Sequence, residues 1–505
     1  MQSNGPVWGQ AEGDLEYPSL AHDLHVDVAI VGGGITGITA AALLKQSGRS
    51  VAVLEGRRIG AGVSGGTTAH LTEAVDARYH TLEKDFGAEA ARLVRQSSRA
   101  AIEQIASLAE QFGVPGAFER LPGYLFSENP EDKAELEREL EAAHRAGADV
   151  EACPVPLPFA TVGGVRFADQ AQLSPLRYLK ALARYIPGAG SAVFEATPVL
   201  EIEQGEPIRV RTQLGPIVRA DRVILATHAP SLVPTTFQTK LAQYRSYACA
   251  GQVAQQARGL FWDTADPYHY VRSVSLNGET YLIVGGEDHK TGQCPDGSSA
   301  GPFERLSEYA QRFGVRPTQR WSAQVVESVD GLPFIGQLSP SEPVMVATGY
   351  GGNGITFGTL AAMILHDAVL DTPNPYAELY RAARFKPLVS LTPMLQENAG
   401  FPAHLLKDRL AAAEAPSVSE VAAGEGKIVR VGAEKLAVYR DTKGGLHVLS
   451  ARCTHLGCNV AFNAAEFTWD CPCHGSRFST DGAVLDGPAT KPLEVRTDRL
   501  ESEAS

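Results

Sequence analysis

The sequence predicts an α/β unit with an α+β insertion, joined to a small all-β domain at the C-terminus. Three observations carry that expectation. Residues 26–44, VDVAIVGGGITGITAAALL, pass from an apolar run through glycines into a helix of small residues. Residues 235–320 alternate polar and apolar positions as strands do. From 416 onward short strands alternate with Gly- and Asp-rich turns, and four cysteines and two histidines crowd into 453–474.

At 505 residues the chain is too long for one ordinary core, so two or more domains are expected. Its 44% hydrophobic and 20% charged content is that of a soluble globular protein. A net charge of −13 argues against nucleic-acid or anionic-membrane partners. The first twenty residues are polar and acidic, with no basic or apolar leader region, so no signal peptide is read and a cytoplasmic location is expected. No run of 18 apolar residues occurs, so no transmembrane helix is expected. Cys153, Cys249 and Cys294 are scattered, and seven cysteines do not make a secreted disulfide scaffold.

Taken in order, residues 1–25 form an N-terminal extension. Gly32, Gly34 and Gly37 then make G-x-G-x-x-G. The first allows the tight turn, the second lets backbone approach a pyrophosphate, and the third lets helix and strand pack closely. The helix N-terminus faces the phosphate charge. A second strand, SVAVLE, ends at Glu55, eighteen residues after Gly37, where an acid accepts hydrogen bonds from ribose hydroxyls. Residues 78–115 have the apolar spacing of an amphipathic helix. EDKAELERELEAAHRAGA (131–148) is a charged helix with a solvated face. Residues 386–415 read as a packed linker without a Gly/Ser tract.

Three further stretches decide the dinucleotide. GRRIGAGVSGGTTAHLT (56–72), DRVILATHAP (221–230), and VESVDGLPFIG with VMVATGYGGNGITFGTLAAMIL (326–336, 344–365) resemble FAD segments of the D-amino-acid oxidase superfamily. The resemblance spans most of 26–385 and implies a glutathione-reductase-type FAD-binding fold. Besides the three glycines and Glu55, it implies FAD contacts from Arg57, Thr67, Thr68 and His70, from Val199, Ala226 and Thr227, and from Gly349, Gly352, Gly354, Ile355 and Thr356. The helix starting near Gly354–Thr356 stabilises charge on the reduced flavin. Some dehydrogenases of the superfamily bind FAD covalently through a histidine placed like His70. The residues around His70 depart from that pattern, so a non-covalent neighbour is expected. The division implied is 26–385 for the oxidoreductase, with FAD segments about 26–77, 150–234 and 321–385 and substrate segments about 78–149 and 235–320.

Within the insertion, Arg272 is the candidate to pair with a substrate carboxylate. His289, in the polar cluster GEDHK, is a candidate for contact with substrate or the flavin edge. Tyr124 and Tyr270 are read as structural.

The C-terminal boxes CTHLGC (453–458) and CPCHGS (471–476) contain C-x-H and C-x-x-H, with Cys458 and Cys473 left over. A structural zinc site would use four ligands and leave the second cysteine pair unexplained. A Rieske [2Fe–2S] centre, with two thiolates on one iron and two imidazoles on the other, accounts for all six. The boxes resemble Rieske proteins of the cytochrome bc type. That resemblance implies Cys453 and Cys471 on one iron, His455 and His474 on the other, a Cys458–Cys473 disulfide, and a Rieske domain at 416–505. In high-potential members, the serine of the second box and a tyrosine two residues later donate to the cluster sulfurs. Ser476 matches the serine. Phe478 stands at the tyrosine position and has no hydroxyl, which implies a lower potential.

Flavin accepts electron pairs and a Rieske cluster passes single electrons. Their union on one chain implies oxidation of an amine or amino-acid C–N bond, with electrons leaving through the cluster to a quinone, a small redox protein or O₂. A dehydrogenase is expected rather than an oxidase. The alternatives are an O₂-using oxidase with a regulatory cluster and a non-enzymatic electron-transfer module. A Rieske oxygenase is excluded, because no D-x-x-H-x-x-x-x-H arrangement supplies a mononuclear iron site.

Overall fold

The computed structural model describes residues 5–10, 15–114, 116–294, 299–339, 343–387, 389–397, 414–415, 417–432 and 434–498. Two large sheets and a small β domain organise the chain. The first sheet has eight strands. Leu24–Val31 lies at its centre, parallel to Ile217–Leu225 on one side and to Val51–Leu54 on the other. Val344–Thr348 continues the sheet in parallel, and Phe334–Gln337 closes that edge antiparallel. These strands read as near-continuous apolar runs because both faces are covered. Helix Ile35–Gln46 is buried through Thr36–Ala42. Its small residues let helix Gly354–Val369 come close: a Cβ on Gly358 would lie 2.6 Å from the Ile35 side chain.

The second sheet has nine strands, with Leu241–Gln252 between Gln319–Ser328 and Glu279–Lys290. Val150–Cys153, Gly163–Leu173 and Gln319–Ser328 belong to this sheet. These strands share a sheet with the strands of 235–320, although the expected FAD segments include most of their residues. Alternation marks a strand but does not say which sheet it joins. The helix expected over 78–115 is two helices, Tyr79–Phe86 and Ala88–Gln111, parted at Gly87. Gly87 has φ +92°, which lets the chain turn there without a Cβ clash. The charged helix runs Lys133–Arg145.

The C-terminal domain pairs Gly426–Val431, Glu434–Arg440 and Leu446–Ser450 in one antiparallel sheet. Ala461–Asn463, Thr468–Asp470, Arg477–Ser479 and Val484–Asp486 form a second. Its core gathers Trp469, Phe478, Cys453 and Cys471. Of the expected linker, residues 398–413 lie outside the described residues. Glu397, before them, holds Lys290 at 2.8 Å and accepts from the Tyr244 hydroxyl at 3.2 Å. No described helix is long and apolar enough to cross a membrane.

Candidate active site and metal centre

The glycine turn is fixed by close backbone approach. Gly32 has φ +111°, and a Cβ there would lie 2.4 Å from the Ala226 carbonyl oxygen. A Cβ on Gly37 would lie 2.0 Å from the Gly32 carbonyl oxygen. Gly34 starts the helix without a side-chain cap, and Ser64 Oγ accepts the Ile35 N–H at 2.9 Å. Glu55 Oε2 accepts the Gly33 N–H at 2.7 Å, and its Oε1 accepts the Arg57 N–H at 2.8 Å. The acid is thereby held against the turn that cradles phosphate.

A cavity of about 580 Å³ opens from this turn, a size typical of small-molecule sites. Gly32, Gly34, Glu55, Arg57, Thr67 and Thr68 line it, as do His70, Val199, Ala226 and Thr227. Gly352, Gly354 and Ile355 form another wall, at the start of helix Gly354–Val369. Gly37, Gly349 and Thr356 are not among the lining residues. Gly37 packs the helix, Gly349 (φ +76°) turns the chain beside Ser328, and the wholly buried Thr356 keeps an Oγ1 without a partner. Two helix N-termini facing one cavity, with a ribose-type acid between strands, fit a dinucleotide such as FAD.

The two cysteine–histidine loops share one backbone pattern. In the first, Cys453 N–H donates to the Cys458 carbonyl and Gly457 N–H to the Cys453 carbonyl. In the second, Cys471 N–H donates to the Ser476 carbonyl and Gly475 N–H to the Cys471 carbonyl. Gly457 and Gly475 both adopt positive φ, which this turn requires. Cys458 and Cys473 form a disulfide joining the loops. Cys453 and Cys471 are buried and their sulfurs are within hydrogen-bond reach of each other. The His455 and His474 rings stand 5.0 Å apart, and the buried His455 Nδ1 has no partner. Burial, with the neighbouring His455, pushes the His474 imidazole down to about 4, leaving it in the neutral form that binds metal. Two buried thiols and two imidazoles carried on two disulfide-joined loops fit a Rieske cluster. Ser476 Oγ lies within reach of the Cys453 sulfur and accepts the Ala489 N–H at 2.9 Å.

Comparison with known proteins decides the family. The model for FAD dependent oxidoreductases (DAO) matches residues 27–368, and that for the Rieske [2Fe-2S] domain matches 412–497. The chain belongs to the DAO family. YhfW of Bacillus subtilis (strain 168), named as a Rieske 2Fe-2S iron-sulfur protein, is 33% identical over 486 residues, 95% of this chain and 94% of that one. Gamma-glutamylputrescine oxidoreductase of Escherichia coli (strain K12) is 26% identical over 368 residues, 69% of this chain and 84% of its own. Glycine oxidase from Geobacillus kaustophilus shares the fold, with a TM-score of 0.61 at 19% identity over 72% of this chain and all of that one. The DAO part binds FAD and the Rieske part binds a [2Fe-2S] cluster.

The DAO cavity corrects two expectations. Arg272 is wholly buried and does not line the cavity. It donates to the Ala69 and Leu173 carbonyls at 2.7 and 3.2 Å and lies over the Trp8 ring, so it ties the residue before His70 to the end of the neighbouring strand Gly163–Leu173. Its buried Nε and Nη2 have no hydrogen-bond partner, but the side chain does not reach the cavity wall where a substrate carboxylate would lie. His289 also lies off the cavity, stacked on Tyr247 with its Nδ1 3.3 Å from the Glu287 carbonyl oxygen. Tyr124 stacks on Phe261 in the core. Tyr270, expected to be structural, lines the cavity and shares a 2.9 Å hydrogen bond with Ser246.

Sequence reasoning missed three further lining residues. Tyr268, Asp76 and Asn353 line the cavity beside Tyr270. Asp76 Oδ2 accepts the Gly352 N–H at 2.6 Å, and Asn353 Oδ1 accepts the Asp76 N–H at 3.0 Å. The Tyr268 hydroxyl donates to Asp288 at 3.3 Å. Burial, with Asp76 and Glu287 close by, pushes the Asp288 carboxyl up to about 7. Burial and the Arg272 charge push the His70 imidazole down to about 3, so His70 is neutral.

Proposed function

We propose that the chain oxidises the C–N bond of an amine or amino acid, with electrons leaving reduced FAD one at a time through the Rieske cluster to an external acceptor. FAD supplies the two-electron chemistry and the cluster the one-electron outlet. One observation carries this reading. Gln324 lines the DAO cavity, and its side-chain N–H donates at 2.9 Å to the carbonyl of Gly475, the residue after the cluster ligand His474. The wall of the flavin cavity and the cluster loop are therefore one hydrogen bond apart.

On this reading Tyr268, Tyr270, Asp76 and Asn353 surround the reacting carbon of the substrate. Asp76, whose carboxyl is pushed up by burial while the Gly352 N–H favours its carboxylate form, is the acid that a cationic amine would meet before it loses a proton. Asp288, poised near neutrality behind Tyr268, is the group best placed to take up that proton through the tyrosine hydroxyl. The candidate ligands Cys453, Cys471, His455 and His474 hold the cluster at the outer side of the same wall.

The test is an anaerobic screen of amines and amino acids that follows bleaching of the flavin. The substrate found is then used to compare O₂ with a one-electron dye as acceptor. Turnover with the dye that falls in His474→Ala, with flavin reduction by substrate retained, supports the relay. Equal turnover in both proteins, or rapid reoxidation by O₂ alone, overturns it.

A further inference from the structure

We propose that the Rieske domain is a structural wall of the FAD site, with Leu485–Gly487 completing the cavity and a buried ionic lock on Arg245 holding that wall in place. Leu485, Asp486 and Gly487 line the same cavity as Gly32 and Glu55, although they lie beyond residue 368, where the DAO match ends. Asp486 lies within electrostatic range of Arg57 and His228, two cavity-lining residues of the DAO part. Gly487 leaves little room, since a Cβ there would lie 3.2 Å from the Ala229 carbonyl oxygen.

The lock crosses the domain boundary. Arg245, on the sheet of the substrate segments, binds Glu466 at 3.1 Å and Asp486 at 3.1 Å. Arg477 of the Rieske domain binds the same two carboxylates at 3.0 and 3.2 Å and Asp470 at 2.9 Å. Both arginine side chains are 5% exposed. Ser322 donates to Glu466 from the neighbouring strand. Against the upward push of burial, Arg245, Arg477, Arg57 and His228 hold Asp486 down to about 2. Around the lock further contacts join the two surfaces. Gln324 donates to the Gly475 and Gly487 carbonyls at 2.9 and 3.4 Å. Gln293 donates to the Pro472 carbonyl at 2.8 Å, and a Cβ on Gly292 would lie 2.9 Å from Pro472 N.

Breaking one member of such a buried network leaves uncompensated charge, so the domains separate only at considerable cost. FAD binding and Rieske docking are then coupled, and the coupling is reciprocal. A docked domain tightens FAD, and bound FAD holds the domain down. The cluster domain stays in one position on the flavin cavity and does not swing on its linker.

The test uses full-length apoprotein with its cluster intact and its FAD removed. The double variant Arg245→Met with Glu466→Gln removes one charge of each sign, leaving the net charge of the lock unchanged. FAD titration by flavin fluorescence is expected to show binding weakened at least about fivefold, the lower bound of ordinary coupling. Amide exchange is expected to rise at 241–252 and 471–487, while the cluster absorbance persists. Parental FAD affinity in this variant, with or without faster exchange, overturns the proposal. The reciprocal measurement needs no variant. Adding FAD to the parental apoprotein is expected to slow exchange at 471–487, and no protection there overturns the proposal even if the variant fails to fold.

Discussion

Replacing Gly37 with alanine tests the cofactor turn at its tightest point. The added Cβ would sit 2.0 Å from the Gly32 carbonyl oxygen and 3.1 Å from its carbon. A carbon and a carbonyl oxygen in contact need roughly 3.3 Å, so helix and turn must part by roughly 1 Å. Neither atom met is the end of a flexible side chain, and the helix is buried through Thr36–Ala42. Overpacking a close-packed interior costs about 1–3 kcal/mol. The same displacement carries the Gly32–Gly34 amides away from the phosphates they face. Only the part of that cost needed to force the turn back onto the phosphates enters binding, so at about 1.4 kcal/mol per tenfold the Kd for FAD rises by up to roughly 150-fold, and the rest lowers the unfolding temperature. The assay is titration of cluster-containing apoprotein with FAD, followed by flavin fluorescence, beside a thermal unfolding curve. Parental Kd and parental unfolding temperature in Gly37→Ala would refute the reasoning, because the close approach would then have no energetic consequence.

Other outcomes follow from single side chains. His269 bonds Asp263 at 2.9 Å and faces Glu287 at 3.5 Å; against the downward push of burial, these hold its imidazole up at about 9. Because the folded pKa is raised, its stabilisation is full below about 6.5 and is lost as pH rises through about 9. His269→Gln should therefore destabilise by up to about 3 kcal/mol near pH 6 and by much less near pH 10, and equal losses at both would contradict this. Phe478→Tyr should raise the cluster potential and Ser476→Ala should lower it, checked by redox titration; no shift in either, with the cluster intact, would mean that neither hydroxyl position acts on the sulfurs. Arg272→Met removes a donor from the Ala69 and Leu173 carbonyls, of which Ala69 keeps the Leu173 N–H, and should destabilise by about 1–3 kcal/mol without a selective rise in KM. A raised KM at unchanged stability would return Arg272 to substrate binding.

Sequence legibility followed chain locality. Gly32, Gly34 and Glu55 stand at the ends of two adjacent strands and one helix, so their spacing alone pointed to the cavity, and Gly37 lies in the helix packed behind the turn. The cluster boxes were legible for the same reason, since each is a single six-residue turn. Asp76, Tyr268 and Asn353 come from three distant segments and meet only when both sheets are assembled, so no local pattern announces them. Arg272 misled because a buried arginine on a strand and a substrate-binding one have the same sequence signature; only the Ala69 and Leu173 carbonyls tell them apart. The contribution of Leu485–Gly487 depends on how one domain docks on another, which composition and periodicity do not carry. The break at Gly87 went unread, because a lone glycine is tolerated inside a helical pattern and its positive φ is not written in the sequence.

The most direct test of the account is an anaerobic single turnover watched at both cofactors. Substrate is mixed with oxidised protein, flavin absorbance is followed optically, and the reduced cluster is followed by EPR on frozen samples. The account predicts that flavin bleaches first and that the reduced-cluster signal then grows within the same molecule, at a rate independent of protein concentration. In His474→Ala the bleaching should persist and the cluster signal should be missing. A cluster that stays oxidised beside fully reduced flavin in the parental protein, or one whose reduction rate scales with protein concentration, would contradict it.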